Sequence, residues 1–186
     1  MRAVAPDFSP DIGPDISPGL CDEAWLRSTL LGNGLPPAVE GYLRDASRSY
    51  QQDAVAEAYL LQALAAAPDH AAVLIGLYRF YFYKNRLWDA LDVARRCLQK
   101  AARDNGISVD WRAVEVGDAE FDSYDAMLPR FYLFVLKGYA YLQLRLGDLE
   151  EGRAAVDKLL ELDPGDRLGG RVLLGVLERM GQVQDD

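Results

Sequence analysis

The stretch from Tyr139 to Pro164, YAYLQLRLGDLEEGRAAVDKLLELDP, decides the fold. Its apolar residues recur at intervals of three and four on both sides of Gly147-Asp148, which is the spacing of amphipathic helices. Glycine accepts the left-handed backbone that ends a helix, and Asp148 with Glu151 three residues later is a capping-box arrangement that begins the next one. Pro164 then ends the second helix. The stretch predicts two helices joined by a tight turn.

The same helical spacing runs through most of the chain. Asp22 is expected to cap a first helix, Pro36-Pro37 to begin a second, and Asp69 to cap one that begins near His70. Only residues 107–116 alternate like a strand, and that stretch is too broken to count. The sequence therefore predicts an all-α fold of antiparallel helical hairpins. A single hairpin leaves an apolar face uncovered, so we expect the hairpins to stack.

Internal spacing divides the helices into repeats. Ala56 and Ala90 stand 34 residues apart, and each follows a short turn. Pro68 and Pro164, which end equivalent helices, are separated by two such periods plus 28 residues. One boundary therefore carries an insertion, which we place at about residues 104–129. We predict a single helical domain over residues 21–186, preceded by a Pro/Asp-rich disordered tail over residues 1–20.

With these features the chain resembles the tetratricopeptide repeat (TPR) family. The resemblance rests on one residue set in each repeat: Leu43, Ala56, Ala63 and Pro68; Leu77, Tyr81, Ala90 and Cys97; Tyr139, Ala140, Gly147 and Pro164. Asn85 stands where the family has a turn glycine, and Gly152 where it has a packing alanine. The resemblance implies a superhelix of three repeats, closed by a capping helix at about 167–180, and it implies no enzymatic activity.

The charge is concentrated in two acidic segments. The net charge is −9, but residues 1–23 carry one basic and five acidic side chains, and residues 104–127 carry one basic and seven acidic ones. The rest of the chain is close to +1, so no basic face for nucleic acid is expected. No apolar run approaches the roughly 20 residues of a membrane span. The first residues do not form a secretory signal, so we expect a cytoplasmic protein.

The tail has a four-residue repeat. Pro6-Asp7-Phe8-Ser9, Pro10-Asp11-Ile12-Gly13 and Pro14-Asp15-Ile16-Ser17 each place an apolar residue two positions after a proline. Proline at every fourth position forbids a helix, so the segment is expected to be extended or disordered. It is either a solvating tail or a short binding motif.

Residues for catalysis or metal binding are sparse. His70 is the single histidine, Cys21 and Cys97 are dispersed, and no phosphate-binding loop or calcium-loop spacing occurs. We expect no enzymatic activity, no cofactor and no metal. Cys97 is expected to be a buried thiol.

The TPR resemblance implies a concave groove lined by the first helix of each repeat. Its register gives the expected partner-binding residues as Arg79, Phe82, Tyr83, Phe134, Lys137, Tyr141 and Arg145, with a further basic point at Arg48. Such a groove suits a protein or peptide with apolar anchors and acidic flanks, so we expect an adaptor or chaperone. The acidic insertion is expected either to occupy this groove or to cover an apolar side of the stack.

Three alternatives stay open. One is a structural scaffold that self-associates, for example as a homodimer. The size, acidity and repeat plan are also similar to TPR chaperones of type III secretion. The segment from Tyr78 to Leu98 looks like small TPR proteins that accompany nitrogen-fixation and metallocluster-assembly genes.

Overall fold

A computed structural model of the chain describes residues 34–123, 125–175 and 177. Within these ranges every regular element is helical, which confirms the predicted all-α fold. The α-helices are α1 Pro37–Arg48, α2 Asp53–Ala66, α3 Ala71–Tyr83, α4 Leu87–Asn105, α5 Met127–Arg145 and α6 Leu149–Leu162. Two short 3₁₀ turns, Trp111–Ala113 and Val116–Asp118, lie between α4 and α5. The predicted tail and the helix expected after Asp22 lie outside the described residues.

The helix boundaries reproduce the spacing read from the sequence. α1 and α3 begin at Pro37 and Ala71, 34 positions apart, and α2 and α4 begin at Asp53 and Leu87, again 34 apart. α6 begins 62 residues after α4, as a 34-residue period with a 28-residue insertion requires. The insertion is narrower than predicted as irregular chain, because α4 continues to Asn105 and α5 already begins at Met127.

The chain divides into two compact units at Lys100, within α4. The first unit has residues 34–100 as its described part. Here α1 packs on α2 and α2 on α3. Ala56 and Ala63 are fully buried on α2, and their small side chains let neighbouring helices approach closely. Larger apolar side chains, including Val39, Leu60, Leu74 and Leu77, fill the remaining core.

Ion pairs close the turn between α3 and α4 against α2. Asn85 has a φ of 57°, which confirms that it adopts the left-handed turn conformation expected of it. Glu57 on α2 accepts hydrogen bonds from Arg86 Nη1 at 2.7 Å and from the Tyr81 hydroxyl at 2.9 Å. The Arg86 guanidinium holds the pKa of Glu57 below its ordinary value. Lys84 pairs with Asp53 at 2.7 Å.

The start of α3 differs from the prediction. His70, and not Asp69, is the residue that caps this helix, since the backbone N–H of Ala72 donates to His70 Nδ1 at 3.2 Å. Burial, and then the charge of Lys100, lower the pKa of His70 from its ordinary value. A neutral imidazole is required for this cap, because a protonated Nδ1 has no lone pair to accept with.

Acid is therefore expected to weaken the first unit through His70. Above a pH of about 6.5 the imidazole is neutral in both folded and unfolded chains, and the cap contributes fully. As the pH falls below that value, the unfolded chain takes up a proton first, so stability decreases. Thermal unfolding between pH 8 and 5 should show a shallower loss for His70→Asn, which caps without titrating, than for the wild type. His70→Ala should lose about 1 kcal/mol at pH 8. Equal slopes for wild type and His70→Asn would contradict this role.

The second unit has residues 101–123, 125–175 and 177 as its described part, and its centre is the α5–α6 hairpin. Asp148 caps α6 as predicted, accepting from the backbone N–H of Glu151 at 3.1 Å. Gly152 faces Leu144 of α5, and a Cβ at this position would lie 2.3 Å from Leu144 Cδ2. The substitution of the family's packing alanine therefore has a steric cause, since the leucine fills the space that an alanine methyl group needs.

The acidic insertion packs on this hairpin. Trp111 is buried with its ring 6.2 Å from that of Tyr139, and Phe121 is buried with its ring 5.9 Å from that of Tyr132. Lys158 of α6 donates to the backbone oxygen of Val114 at 3.0 Å. The apolar residues of the insertion thus belong to the core of the second unit, while most of its carboxylates face solvent.

A polar cluster fixes the position of Trp111. Glu151 accepts from the Tyr139 hydroxyl and from Arg112 of the insertion, and Gln143 donates to the Tyr139 hydroxyl at 2.8 Å. The carboxylate of Glu151 is therefore engaged by α5 and the insertion. In the predicted capping box it would have returned to the start of its own helix.

Removal of the Trp111 ring should destabilise the second unit substantially. Trp111→Ala is expected to cost about 3 kcal/mol, because the lost contacts leave a cavity against Tyr139. Val116→Ala in the same insertion is the matched control, since Val116 is 52% exposed and its truncation should change stability by less than about 0.5 kcal/mol. Chemical denaturation of both variants would measure the difference. Similar losses for the two would show that the insertion is not part of the core.

After α6 the chain turns back through a buried carboxylate. Asp163 is buried and accepts from the backbone N–H of Leu168 at 3.0 Å. Residues 171–175 and 177 are helical, and Leu173 is buried, so a helix lies where a capping helix was predicted, beginning four residues later. In the part of the chain that the structure describes, no helix is long and apolar enough to cross a membrane.

Candidate functional site

An open groove of about 430 Å³ lies in the first unit between α1 and α3. We call it the α1/α3 groove. Its lining comes from α1 and the turn after it, from α2 and from α3: Leu43, Ala46, Ser47, Tyr50, Leu60, Ala72, Gly76, Arg79, Phe80 and Tyr83. The groove therefore lies on the first helices of two successive hairpins.

Small residues keep the middle of the groove open. Ala46 and Ala72 present only methyl groups, and Gly76 presents no side chain. A Cβ at Gly76 would lie 3.5 Å from the side chains of Leu43 and Leu60, an ordinary van der Waals distance. An alanine therefore fits at position 76 without strain, and its methyl group would occupy space that the glycine leaves empty.

One end of the groove is aromatic. The rings of Tyr50 and Phe80 meet edge to face with centroids 6.3 Å apart. Lys84 lies over the Tyr50 ring at 4.2 Å, which holds that ring from its other side. Tyr83 is 48% exposed, a large fraction for an aromatic side chain. This end offers ring faces and edges to a ligand while Phe80 itself stays buried.

Arg79 supplies the charge of the groove. Among the ten described lining residues it alone is ionised at neutral pH. The other nine are apolar, or carry a hydroxyl group. The groove thus combines an apolar floor with one cationic point, the arrangement that orients a ligand bearing both an apolar side chain and a carboxylate.

The predicted residues of the second repeat are partly brought together. Arg79 and Tyr83 line the α1/α3 groove, whereas Phe82 stacks on Tyr78 with centroids 5.9 Å apart and contacts Tyr83 edge-on at 5.5 Å. Arg48 does not line the groove and pairs with Asp45 at 3.7 Å.

Sequence reasoning missed the α1 wall. That wall consists of Leu43, Ala46, Ser47 and Tyr50. Their spacing of three, four and seven residues marks one helical face, so the signal was present in the sequence.

The predicted residues of the third repeat lie in the second unit. Phe134 is buried, with 6% of its surface exposed. Lys137 donates to the backbone oxygen of Leu168, so it holds the turn after α6. Arg145 donates to the Tyr141 hydroxyl at 3.0 Å, with its guanidinium 5.9 Å from the ring centroid. These four side chains thus take part in packing and pairing within the second unit.

Groups for covalent or metal chemistry are not assembled in the described residues. No cluster of three or more His, Cys, Asp or Glu side chains there is arranged to hold a metal ion. Burial raises the pKa of the Cys97 thiol to about 12, so this buried group stays protonated at neutral pH. What the α1/α3 groove offers is binding by apolar contact and by one cation.

Comparison with known proteins gives one informative relative. The chain is 44% identical over 126 residues to the uncharacterized 19.8 kDa protein in the nifW 5′ region of Azotobacter chroococcum mcd 1. The matched region covers 67% of this chain and 71% of the relative. The chain belongs to the family of this Azotobacter protein. No family model matches the chain, and no solved structure matches it.

Proposed function

We propose that this chain is a non-catalytic protein-binding module of the TPR type, an adaptor or chaperone that holds a segment of a partner protein in the α1/α3 groove. The proposal places it in the cytoplasm, as an accessory factor in nitrogen fixation or in the assembly of its metalloclusters. The observation that carries the proposal is the groove itself, with its apolar floor, exposed Tyr83 and Arg79.

The composition of the groove favours a polypeptide ligand. Tyrosine and arginine are the residue types that contribute most to binding energy at protein interfaces, particularly around a desolvated apolar centre. Leu43, Leu60 and the small residues between them provide such a centre. A helix pair with an open apolar groove is also a common way to bind a peptide chain.

The TPR assignment draws support from the helix boundaries. The 34-residue offsets from α1 to α3 and from α2 to α4 have the period of that family. The left-handed Asn85 and Gly147 end the first helices of two hairpins, where the family has its turn glycine. In this family the first helices line the concave face, which agrees with a groove between α1 and α3.

Support for the nitrogen-fixation context comes from the Azotobacter relative. Its printed name places it in the nifW 5′ region. The segment from Tyr78 to Leu98, which resembles TPR proteins that accompany nitrogen-fixation genes, includes Phe80 and Tyr83 of the groove. The two arguments are independent, since one rests on a gene position and the other on residues of this chain.

Genetic complementation tests the function. Deletion of the relative's gene in Azotobacter chroococcum is expected to slow growth on dinitrogen and to leave growth on ammonium unchanged. The gene for this chain should restore growth on dinitrogen. The double variant Arg79→Glu with Tyr83→Ala should fail to restore it, because it reverses the charge of the groove and removes its exposed ring.

Trp88→Ala is the matched control for the double variant. Trp88 is an aromatic residue five positions from Tyr83, is 66% exposed and does not line the groove. It should restore growth as well as the wild type does, and circular dichroism should show equal helix content for all three chains. Rescue by the double variant would overturn the groove assignment. Normal growth of the deletion strain on dinitrogen would overturn the nitrogen-fixation context.

A further inference from the structure

We propose that the α1/α3 groove binds an extended, acidic, proline-containing peptide, and that the chain's own residues 6–18 are such a ligand and occupy the groove until a partner displaces them. This inference rests on the proposed function of the groove. Residues 6–18 lie outside the described residues, so the argument uses their sequence and the geometry of the groove.

The aromatic end of the groove suits proline. Prolines preset an extended backbone, and aromatic-lined grooves recognise such segments at a low entropic cost. Tyr50, Phe80 and Tyr83 supply the rings. Residues 6–18 place a proline at positions 6, 10, 14 and 18, so each four-residue unit offers one ring to this end of the groove.

The length of one unit matches the length of the groove. On α3 the lining extends from Ala72 to Tyr83, eleven helical steps or about 16 Å. A polyproline II chain advances about 3.1 Å per residue, so about five residues cover that distance. Five residues are one Pro-Asp-apolar-Ser unit plus the proline of the next. The three tandem units are thus three copies of a ligand that fills the groove one at a time.

Charge and side-chain order agree with this placement. Each unit has an aspartate directly before its apolar residue, and residues 1–23 have one basic against five acidic side chains. In a polyproline II chain, neighbouring side chains point about 120° apart because each turn has three residues. When Phe8, Ile12 or Ile16 points to the floor at Gly76, the preceding aspartate points to the rim, where Arg79 provides the cation.

The covalent connection makes this occupancy efficient. Residues 19–33 separate the last proline from the described chain, and 15 residues span up to about 50 Å when extended. This exceeds the length of α1, which forms one wall of the groove and begins at Pro37. A tether of this length gives an effective concentration of the order of millimolar, so even a weak motif is mostly bound.

Binding of a labelled peptide to the full-length protein tests the proposal. The probe is a fluorescent synthetic peptide of residues 5–18, followed by anisotropy. A full-length variant with Phe8→Ser, Ile12→Ser and Ile16→Ser should bind this peptide about tenfold more tightly than the wild type, because its own segment no longer competes. The control variant Ser9→Ala with Ser17→Ala keeps every proline, aspartate and apolar residue and should bind like the wild type.

A second pair of variants locates the binding site. Gly76→Ala, made in the triple-serine variant, should raise the melting temperature, because alanine favours a helix over glycine and fits here. It should also weaken peptide binding at least fivefold, because the methyl group fills the floor. Gly41→Ala is the matched control, a helical glycine of α1 with open space at its Cβ position and outside the lining. It should raise stability without changing the affinity.

Equal peptide affinity in the wild type and the triple-serine variant, or undiminished binding to Gly76→Ala, would overturn the proposal. A wild-type dimer in light scattering that becomes monomeric in the triple-serine variant would also overturn it, since the segment would then bind a second copy. The complementation experiment with Arg79→Glu and Tyr83→Ala is independent of the tail. If the peptide fails to bind but growth still depends on those two residues, only this inference falls. If growth is also independent of them, the proposed function falls as well.

Discussion

The uncovered apolar face of a helical hairpin is the constraint on which the rest of the structure depends. Two antiparallel helices bury only the surface between them, so each hairpin needs another element against its open side. In the first unit the next hairpin supplies it, through α3 on α2. In the second unit the insertion contributes Trp111 and Phe121, which pack against rings of α5. A repeat and an irregular segment thus meet the same physical need, and the insertion is part of the second unit's core.

The groove follows from how the first unit meets this constraint. Ala56 and Ala63 bring the helices close on α2, and small residues recur at Ala46, Ala72 and Gly76, where nothing fills the space between the first helices. Close packing on one side and open space on the other therefore come from the same residue types at different positions. The ion pairs of Glu57 and Asp53 with the α3–α4 turn secure the end of α3 that carries Tyr83.

Periodicity predicted the fold well, because the 34-residue spacing is a property of the sequence and survives the insertion. It predicted Arg79 and Tyr83, whose helix register follows from the repeat. It did not predict that Lys137 and Phe134 are engaged in the second unit, since those contacts depend on the turn after α6 and on burial. The cap of α3 was assigned to Asp69 by residue type, but the position of the first helical residue decided for His70. The α1 wall was missed because family register was applied there before the helical face itself was examined.

The docking of the insertion also has a consequence for the order of folding. The α5–α6 hairpin forms from residues close in sequence, whereas the hydrogen bond of Lys158 to Val114 joins positions 44 apart and that of Arg167 to Asp122 positions 45 apart. Contacts between distant positions require a longer loop to close, and they form later than local ones. A nascent second unit therefore passes through a stage in which its helices are formed but Tyr132 and Tyr139 are still open to water. The speed at which the insertion closes over these rings sets how long that sticky intermediate persists after synthesis.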